Sequence, residues 1–247
     1  MEIGLQTFTV RELLTPGNLN EAFGRIAGMG IENLELAVDY LPMPFAPETA
    51  ETVRAAADRN GLRVRSCQIK YSTSSKDIAL TAAYMQALGA RILTNSVIDL
   101  KLLALGRPGL LRYCGKLDRL KERLAPAGID LAHHNHHFEF KRAGGQTALE
   151  FMAAHSSIGF ALDTYWTRRA GGDILALLEA LKGRVPLMHL RDFAGKADCE
   201  IGRGDIPFGE ALRAAEGAGV KYGMIEQKTK TPIESVEISL RGVHHAI

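Results

Sequence analysis

The sequence predicts a (β/α)8 barrel that forms a single domain over residues 1–247. Short apolar segments alternate with longer amphipathic segments along the whole chain, and eight such pairs follow one another. A length of 247 residues is close to the usual size of this type of barrel. No Pro/Ser-rich linker, long charge run or low-complexity tract divides the chain, so we expect one domain rather than two.

The predicted strands are short apolar runs, most of which follow a glycine. A glycine ends a helix just before a strand begins in Gly61-Leu62-Arg63-Val64 and again in Gly128-Ile129-Asp130-Leu131. The predicted strands are, in chain order, Ile3–Phe8, Leu34–Val38, Leu62–Ile69, Arg91–Asn95, Ile129–His134, Ile158–Leu162, Val185–Leu190 and Tyr222–Ile225.

The predicted helices lie between these strands and show apolar residues at helical spacing. Pro47 at the start of one helix and Gly61 just after its end follow the usual asymmetry of helix ends. Asp173 is a suitable N-cap for a later helix. The predicted helices are Asn18–Met29, Pro47–Asn60, Lys76–Leu88, Pro108–Ala125, Thr147–His155, Asp173–Leu181, Phe208–Glu216 and Pro232–Val243.

The alternative with the same alternation is an open, doubly wound sheet that binds a dinucleotide. That fold requires a glycine-rich turn after the first strand, to let the backbone approach a phosphate. The segment Gln6–Arg11 contains no glycine. The sequence therefore favours the closed barrel and disfavours dinucleotide binding.

The amino-acid composition argues against several classes of protein. The net charge is +2 and charged residues make up 23%, which indicates neither a disordered chain nor a nucleic-acid-binding protein. No apolar run approaches the ~20 residues that a membrane span needs, and no secretory signal opens the chain. Three widely spaced cysteines fit a reducing compartment, so we expect a cytoplasmic protein.

Ionisable residues lie at or beyond the ends of four consecutive predicted strands, at the end of the barrel where active sites lie. They are Glu139, Asp163, His189 and Glu226. Burying such groups is costly unless they are paired or coordinate an ion. A divalent metal held by three carboxylates and one imidazole would offset the cost of burial. A site with mostly oxygen ligands suits Mn²⁺, Mg²⁺ or Co²⁺. The alternative is a set of salt bridges with nearby Arg and Lys residues.

A histidine cluster lies at the end of the fifth predicted strand, where four of the eight histidines fall within residues 133–137. Because side chains alternate along a strand, His134 and His136 share one face and His133 and His137 share the other. One pair should therefore point into the barrel mouth. A histidine there could remove a proton beside a metal-bound carbonyl, or could itself be a ligand; a merely exposed tract is the alternative.

Weaker candidates for substrate contact lie at or near other strand ends. Gln6 lies near the end of the first predicted strand, Lys70 follows the third and Arg191 the seventh, while Trp166 could form an apolar wall. Two more are Glu35, within the second strand, and Arg203, in a Gly-rich turn that could close over an anionic group. A structural ion pair for Glu35 and a surface turn for Arg203 are the alternatives.

Several motifs together resemble the xylose isomerase-like TIM-barrel family, also called sugar phosphate isomerases/epimerases. The segment His134–Phe140 resembles the family's H-N-H-x-F-E-F motif, and His189–Asp192 is similar to its H-L-K-D motif with Arg in place of Lys. Further similar segments are Gln6–Arg11, Leu162–Trp166, Ala170–Asp173, Ile201–Phe208, Ile225–Gln227 and Glu234–Ser239. The resemblance covers nearly the whole chain.

The resemblance implies a divalent metal, most often Mn²⁺, with Mg²⁺, Co²⁺ or Zn²⁺ as alternatives. It implies Glu139, Asp163, His189 and Glu226 as ligands, with His134 or His136 as an alternative at the first position. The implied activity is isomerisation or epimerisation of a keto-sugar or sugar derivative by proton abstraction α to a metal-bound carbonyl. The implied catalytic residues are His136, His134, Glu226 and Glu139, and Gln6, Glu35, Lys70, Trp166, Arg191 and Arg203 are the expected substrate contacts.

The main alternative is a lyase or dehydratase of the same fold acting on an inosose or a 3-keto-glycoside. A nucleic-acid repair enzyme would need a basic face, which a net charge of +2 argues against. A non-catalytic binding subunit would have lost metal-binding carboxylates, and none is lost. We therefore expect a small-molecule carbohydrate substrate, no nucleic acid or membrane partner, and a possible homo-oligomer.

Overall fold

Eight parallel strands close into a barrel in this computed structural model, which describes residues 1–246 apart from the side chain of Ala143. Consecutive strands are neighbours, and the eighth pairs with the first, with Glu2 beside Tyr222. The predicted barrel is confirmed, and each predicted strand overlaps an observed one. The barrel strands are β1 Glu2–Gln6, β2 Asn33–Ala37, β3 Arg63–Ile69, β4 Ile92–Asn95, β5 Asp130–His134, β6 Gly159–Asp163, β7 Leu187–Leu190 and β8 Tyr222–Ile225.

Helices follow the strands and cover the outside of the barrel with a large apolar core between them. They end as the glycine pattern predicts, for example at Gly89, whose φ of 74° is left-handed. The helices are α1 Leu19–Gly28, α2 Pro47–Arg59, α3 Tyr71–Ser74, α4 Ile78–Leu88, α5 Leu100–Ala104, α6 Gly106–Leu124, α7 Ala148–His155, α8 Thr164–Arg169, α9 Ile174–Ala180, α10 Phe208–Gly217 and α11 Pro232–Ala246.

The sequence did not predict several short elements in the loops. Helices α3, α5 and α8 are each six residues or shorter. Two hairpins are also new, one of Arg142–Ala143 with Gln146–Thr147 and one of Asp192–Ala194 with Ala197–Cys199. The first strand ends at Gln6 rather than Phe8, because the Gln6 side chain accepts a hydrogen bond from the backbone N–H of Phe8 and starts a 3-10 turn over Thr7–Leu13.

The lower part of the barrel interior is filled by a small apolar layer, contributed by five neighbouring strands. Its members are Ile92, Ala132, Ala161, Leu187 and Met224. Gly4 on β1 faces the same space, and a Cβ atom there would lie 2.6 Å from the sulfur of Met224. A glycine is thus required where Met224 fills the interior.

Candidate active site and metal centre

A ring of polar side chains lies in the barrel one layer above the apolar interior. Each of the five apolar layer residues is followed, two positions later, by a ring member, as alternation along a strand requires. The polar ring consists of Gln6, Glu35, Gln68, Thr94, His134, Asp163, His189 and Glu226, all of them buried. These buried polar side chains must form hydrogen bonds or ion pairs or coordinate an ion, since each buried polar group without a partner costs several kcal/mol.

Four members of the ring converge closely enough to hold one metal ion. One ligand atom each from His134, Asp163, His189 and Glu226 lies within 4.8 Å of the others, and we call these four residues the ligand cluster. Each has a buried atom without a hydrogen-bond partner among residues 1–246: Nδ1 of the two histidines, Oδ2 of Asp163 and Oε2 of Glu226. A divalent cation would satisfy all four atoms, so the residues present fit such an ion.

Glu139, which the sequence placed among the metal ligands, lies outside the ligand cluster, and His134 takes that place. The reason is that β5 ends at His134 and the chain then turns through a 3-10 segment, His137–Phe140. This turn directs the Glu139 carboxylate to Nε2 of His133 at 3.0 Å and to the backbone N–H of His136 at 2.9 Å. Glu139 therefore supports the segment that carries His136.

His134 and His136 point toward the same cavity, as alternation predicts for that pair. Their ring centroids are 4.7 Å apart, and the His134 ring lies 4.5 Å from that of His189. His133 faces away from the cavity, where its Nδ1 lies 3.0 Å from the side-chain amide of Asn95. His134 and His136 thus face the cavity, whereas His133 is structural.

Arg191 brings positive charge to the two carboxylates of the ligand cluster. Its guanidinium lies 3.7 Å from Asp163, 3.5 Å from Glu226 and 2.6 Å from Asp198. It also lies over the Tyr165 ring, 4.6 Å from the centroid. Because one guanidinium is shared among three carboxylates, the charge of Arg191 does not balance theirs, which favours a bound cation.

The environment shifts the ionisation of every member of the ligand cluster. Burial lowers the pKa of His134 well below its usual value, so this imidazole is neutral, as a metal ligand must be. Burial alone would lower the pKa of His189, but Glu35 and Glu226 raise it to about 10. Burial raises the pKa of Asp163. Burial would also raise the pKa of Glu226, but the positive charges of Arg191 and His189 outweigh this effect and lower it.

His136 is the other ionisable ring at the site. Burial lowers its pKa to about 4, although Glu139 and Glu226 act in the opposite direction. The ring packs 5.0 Å from that of Trp166. Trp166 is held in place in turn, since its backbone N–H donates to Oδ1 of Asp163 at 2.7 Å. Asp163 therefore caps helix α8 with one oxygen and faces the ligand cluster with the other.

A cavity of about 370 Å³ opens above the ligand cluster. It is lined by Phe8, Tyr40, Gln68, Lys70, Ser96, Val97, His134, His136, Trp166, Arg191, Glu226 and Lys228. Of the expected substrate contacts, Lys70, Trp166 and Arg191 are among these residues. Gln6 and Glu35 lie in the polar ring instead, where Gln6 donates to Gln68 at 2.7 Å.

Arg203 lies away from the cavity, contrary to the expectation that it contacts substrate. Its side chain is 59% exposed and lies 3.4 Å from Glu200. The turn that carries it is folded around Asp192, whose carboxylate accepts hydrogen bonds from backbone N–H groups on both sides of Arg203. The sequence could not show this fold of the turn, because it depends on that one buried carboxylate.

Other functional-site residues were missed by the sequence reasoning. Asn135 accepts a hydrogen bond from the backbone N–H of Asp163, and Thr94 donates one to Glu35 at 2.7 Å. Phe8 and Tyr40 form an edge-to-face aromatic pair at the rim of the cavity. The signal for Thr94 was available, since it lies two residues after Ile92 on the same strand face.

Comparison with known proteins identifies the family. The family model described as xylose isomerase-like TIM barrel matches residues 23–241. The chain belongs to the xylose isomerase-like TIM barrel family. The resemblance seen in the sequence motifs is thereby confirmed. A search of curated proteins by sequence gives no match.

Solved structures show the same fold at low sequence identity. A sugar phosphate isomerase/epimerase from Parabacteroides distasonis has a TM-score of 0.83 at 20% identity, over 97% of this chain and 94% of its own. A 3-keto-D-glucoside 4-epimerase from E. coli has a TM-score of 0.74 at 16% identity, over 99% of both chains. A protein described as the probable 3-DHS dehydratase of petrobactin synthesis from Bacillus anthracis has a TM-score of 0.76 at 10% identity, over 99% of both.

Two of these structural neighbours are described as an isomerase/epimerase or an epimerase, and one as a probable dehydratase. At identities of 20% and below, the likeness to these structures shows the fold alone. Within residues 1–246, no helix is both long and apolar enough to cross a membrane.

Proposed function

We propose that this protein is a divalent-metal-dependent isomerase or epimerase of a keto-sugar or sugar derivative. The observation that carries the proposal is the ligand cluster, in which four buried residues bring ligand atoms within 4.8 Å of one another and each has a buried atom without a hydrogen-bond partner in the described residues. The family and its epimerase neighbours agree with this activity. The substrate expected from the cavity is a small carbohydrate that reaches past the aromatic rim to the ligand cluster.

His134, Asp163, His189 and Glu226 would hold the metal. Two imidazole nitrogens and two carboxylate oxygens suit Mn²⁺, the ion we propose, and also Co²⁺ or Zn²⁺. Bound there, the ion would polarise a substrate carbonyl and acidify the hydrogen on the neighbouring carbon. Glu139, in this proposal, acts through the backbone of His136 rather than on the ion.

His136 is the proposed base that moves this proton. Its ring lines the cavity next to His134, and its Nδ1 has no hydrogen-bond partner in the described part of the chain, so it is free to accept a proton. Glu226 also lines the cavity and is the second proposed proton carrier, through Oε1, the carboxylate oxygen that is not assigned to the ion. Proton removal on one side and return on the other gives epimerisation.

Three cavity residues are proposed to bind the sugar. The Trp166 ring offers an apolar face for carbohydrate C–H groups and packs against the proposed base. Arg191 and Lys70 offer donors for hydroxyl or anionic groups. The Arg191 guanidinium is fixed by Asp198 at 2.6 Å, so it presents its remaining donors in a defined direction.

The same proton removal yields a lyase when the substrate carries a leaving group one carbon further along. The test therefore incubates the Mn²⁺-loaded protein in D₂O with keto-sugars, inososes and 3-keto-glycosides. Deuterium in a recovered isomeric sugar supports the proposal, whereas loss of water or of an aglycone identifies the lyase. Asp163→Asn serves as the inactive control, and full turnover by that variant without metal would refute the proposal.

A further inference from the structure

Glu35 occupies an unusual place for a charged residue, at the centre of the barrel. It lies on β2, which pairs with β1 and β3, yet its carboxylate reaches across the interior to His189 on β7. The side chain is fully buried and is not among the residues that line the cavity. Glu35 is thus placed to act on a residue of the ligand cluster and not on substrate.

Both carboxylate oxygens of Glu35 are engaged. Oε1 accepts a hydrogen bond from the hydroxyl of Thr94 at 2.7 Å. Oε2 forms a short contact with Nε2 of His189. The position of the carboxylate is therefore fixed from two directions, which a buried charge requires.

The contact with Glu35 determines which nitrogen of His189 is available to bind an ion. Because Nε2 is committed to Glu35, its proton is donated there, and Nδ1 is the nitrogen left to bind an ion in place of a proton. Nδ1 is the atom that faces the ligand cluster, 2.8 Å from Oε2 of Glu226 but without a hydrogen bond to it within residues 1–246. The geometry selects Nδ1 for an ion.

We infer that Glu35 is a positioning residue that fixes Nδ1 of His189 as the metal-binding atom and strengthens metal binding through its charge. The inference rests on the metal site in the proposed function. A carboxylate behind a ligating imidazole makes the ring a better donor and holds its orientation. Glu35 does this from a strand that contributes no member of the ligand cluster.

The first test compares metal affinity. The full-length protein, stripped of metal, is titrated with Mn²⁺ by calorimetry as wild type, as Glu35→Gln and as Glu139→Gln. Glutamine retains an oxygen that can accept from Nε2 of His189, so the fold should survive while the charge is lost. We expect affinity to fall by about 10- to 100-fold in Glu35→Gln. Glu139→Gln, which removes a buried carboxylate from a histidine outside the ligand cluster, should bind Mn²⁺ as wild type does.

The second test needs no variant and no activity. In protein labelled with ¹⁵N-histidine and loaded with Zn²⁺, which is diamagnetic, the ¹⁵N–¹H spectrum shows which nitrogen of His189 carries the proton. We expect the proton on Nε2 and the zinc-bound shift on Nδ1. The reverse assignment overturns the inference.

The outcomes separate this inference from the proposed function. No Mn²⁺ binding by the wild-type protein would overturn both. Stoichiometric binding by wild type with equal affinity in Glu35→Gln would overturn only the role of Glu35 and would leave the metal site standing. A loss confined to Glu35→Gln, together with the proton on Nε2, supports the inference.

Discussion

Asp192 should stabilise the protein more than any surface carboxylate of the same loop. Its fully buried carboxylate accepts four backbone hydrogen bonds of 2.8–3.1 Å. Oδ1 accepts from Phe193 and Ile206, and Oδ2 accepts from Gly202 and Gly204. The whole turn after β7 is therefore folded around one side chain.

The replacement Asp192→Asn removes two of these four bonds. An amide has one acceptor oxygen, so in either orientation its NH₂ group faces two backbone N–H donors. A hydrogen bond to a charged group contributes ~1.5–3 kcal/mol, and two lost bonds therefore predict a loss of ~3–6 kcal/mol. For a chain of this size, ~2–4 °C of melting temperature corresponds to each kcal/mol, so Tm should fall by at least ~6 °C.

Thermal unfolding followed by circular dichroism measures this effect. Asp205→Asn is the matched control, because Asp205 belongs to the same turn but is 49% exposed and pairs with the equally exposed Arg168. Such surface pairs contribute ~0–1 kcal/mol, so this variant should melt close to wild type. Equal melting temperatures for the two variants would refute the reasoning.

Three further predictions concern the barrel interior. Asp163→Asn should retain the fold by circular dichroism but lose Mn²⁺ binding and turnover, and a variant that binds Mn²⁺ as wild type does would contradict the ligand assignment. His136→Ala should reduce hydrogen exchange at the substrate α-carbon, measured in D₂O, far more than it reduces metal occupancy; the opposite ratio would make His136 a ligand. Gly4→Ala should destabilise the protein by ~1–3 kcal/mol in urea unfolding, because its Cβ would lie 2.5 Å from the carbonyl oxygen of Asn33. An unchanged unfolding midpoint would contradict this prediction and would show that the barrel interior rearranges to accept the methyl group.

Much of the barrel could be predicted because its strands and long helices carry periodic patterns and glycine ends. Helix α8 was missed since its six residues are too few to show a period, although Asp163 caps it directly. The hairpin Asp192–Cys199 was missed for a similar reason, since its strands are three residues each. The conformation of such short segments depends on contacts with side chains that are distant in the sequence, and local sequence patterns do not reveal those contacts.

Residues of the candidate site could be predicted where they lie on a strand or directly after it, because side chains alternate between the two faces of a strand. His134, Asp163 and His189 each lie two residues beyond an apolar interior residue of the same strand, and the same count reaches Glu226 just after β8. Glu139 lies five residues beyond the end of β5, within the 3-10 turn His137–Phe140, where alternation no longer determines direction. A count along each strand therefore separates His134 from Glu139, whereas the resemblance of the motif to that of a family does not.

The two buried glutamate–histidine pairs show what makes a histidine of this barrel available to an ion. Glu139 contacts Nε2 of His133 much as Glu35 contacts Nε2 of His189. The difference lies at the second nitrogen: the Asn95 amide already occupies Nδ1 of His133, while Nδ1 of His189 is unsatisfied in the described structure. A histidine with hydrogen-bond partners at both nitrogens is structural. A histidine whose second nitrogen faces another potential ligand, as Nδ1 of His189 faces Glu226 at 2.8 Å, is oriented but still able to bind an ion. The carboxylate thus sets the direction of the ring, and the second nitrogen, which faces the ligand cluster, gives the site its capacity for a metal.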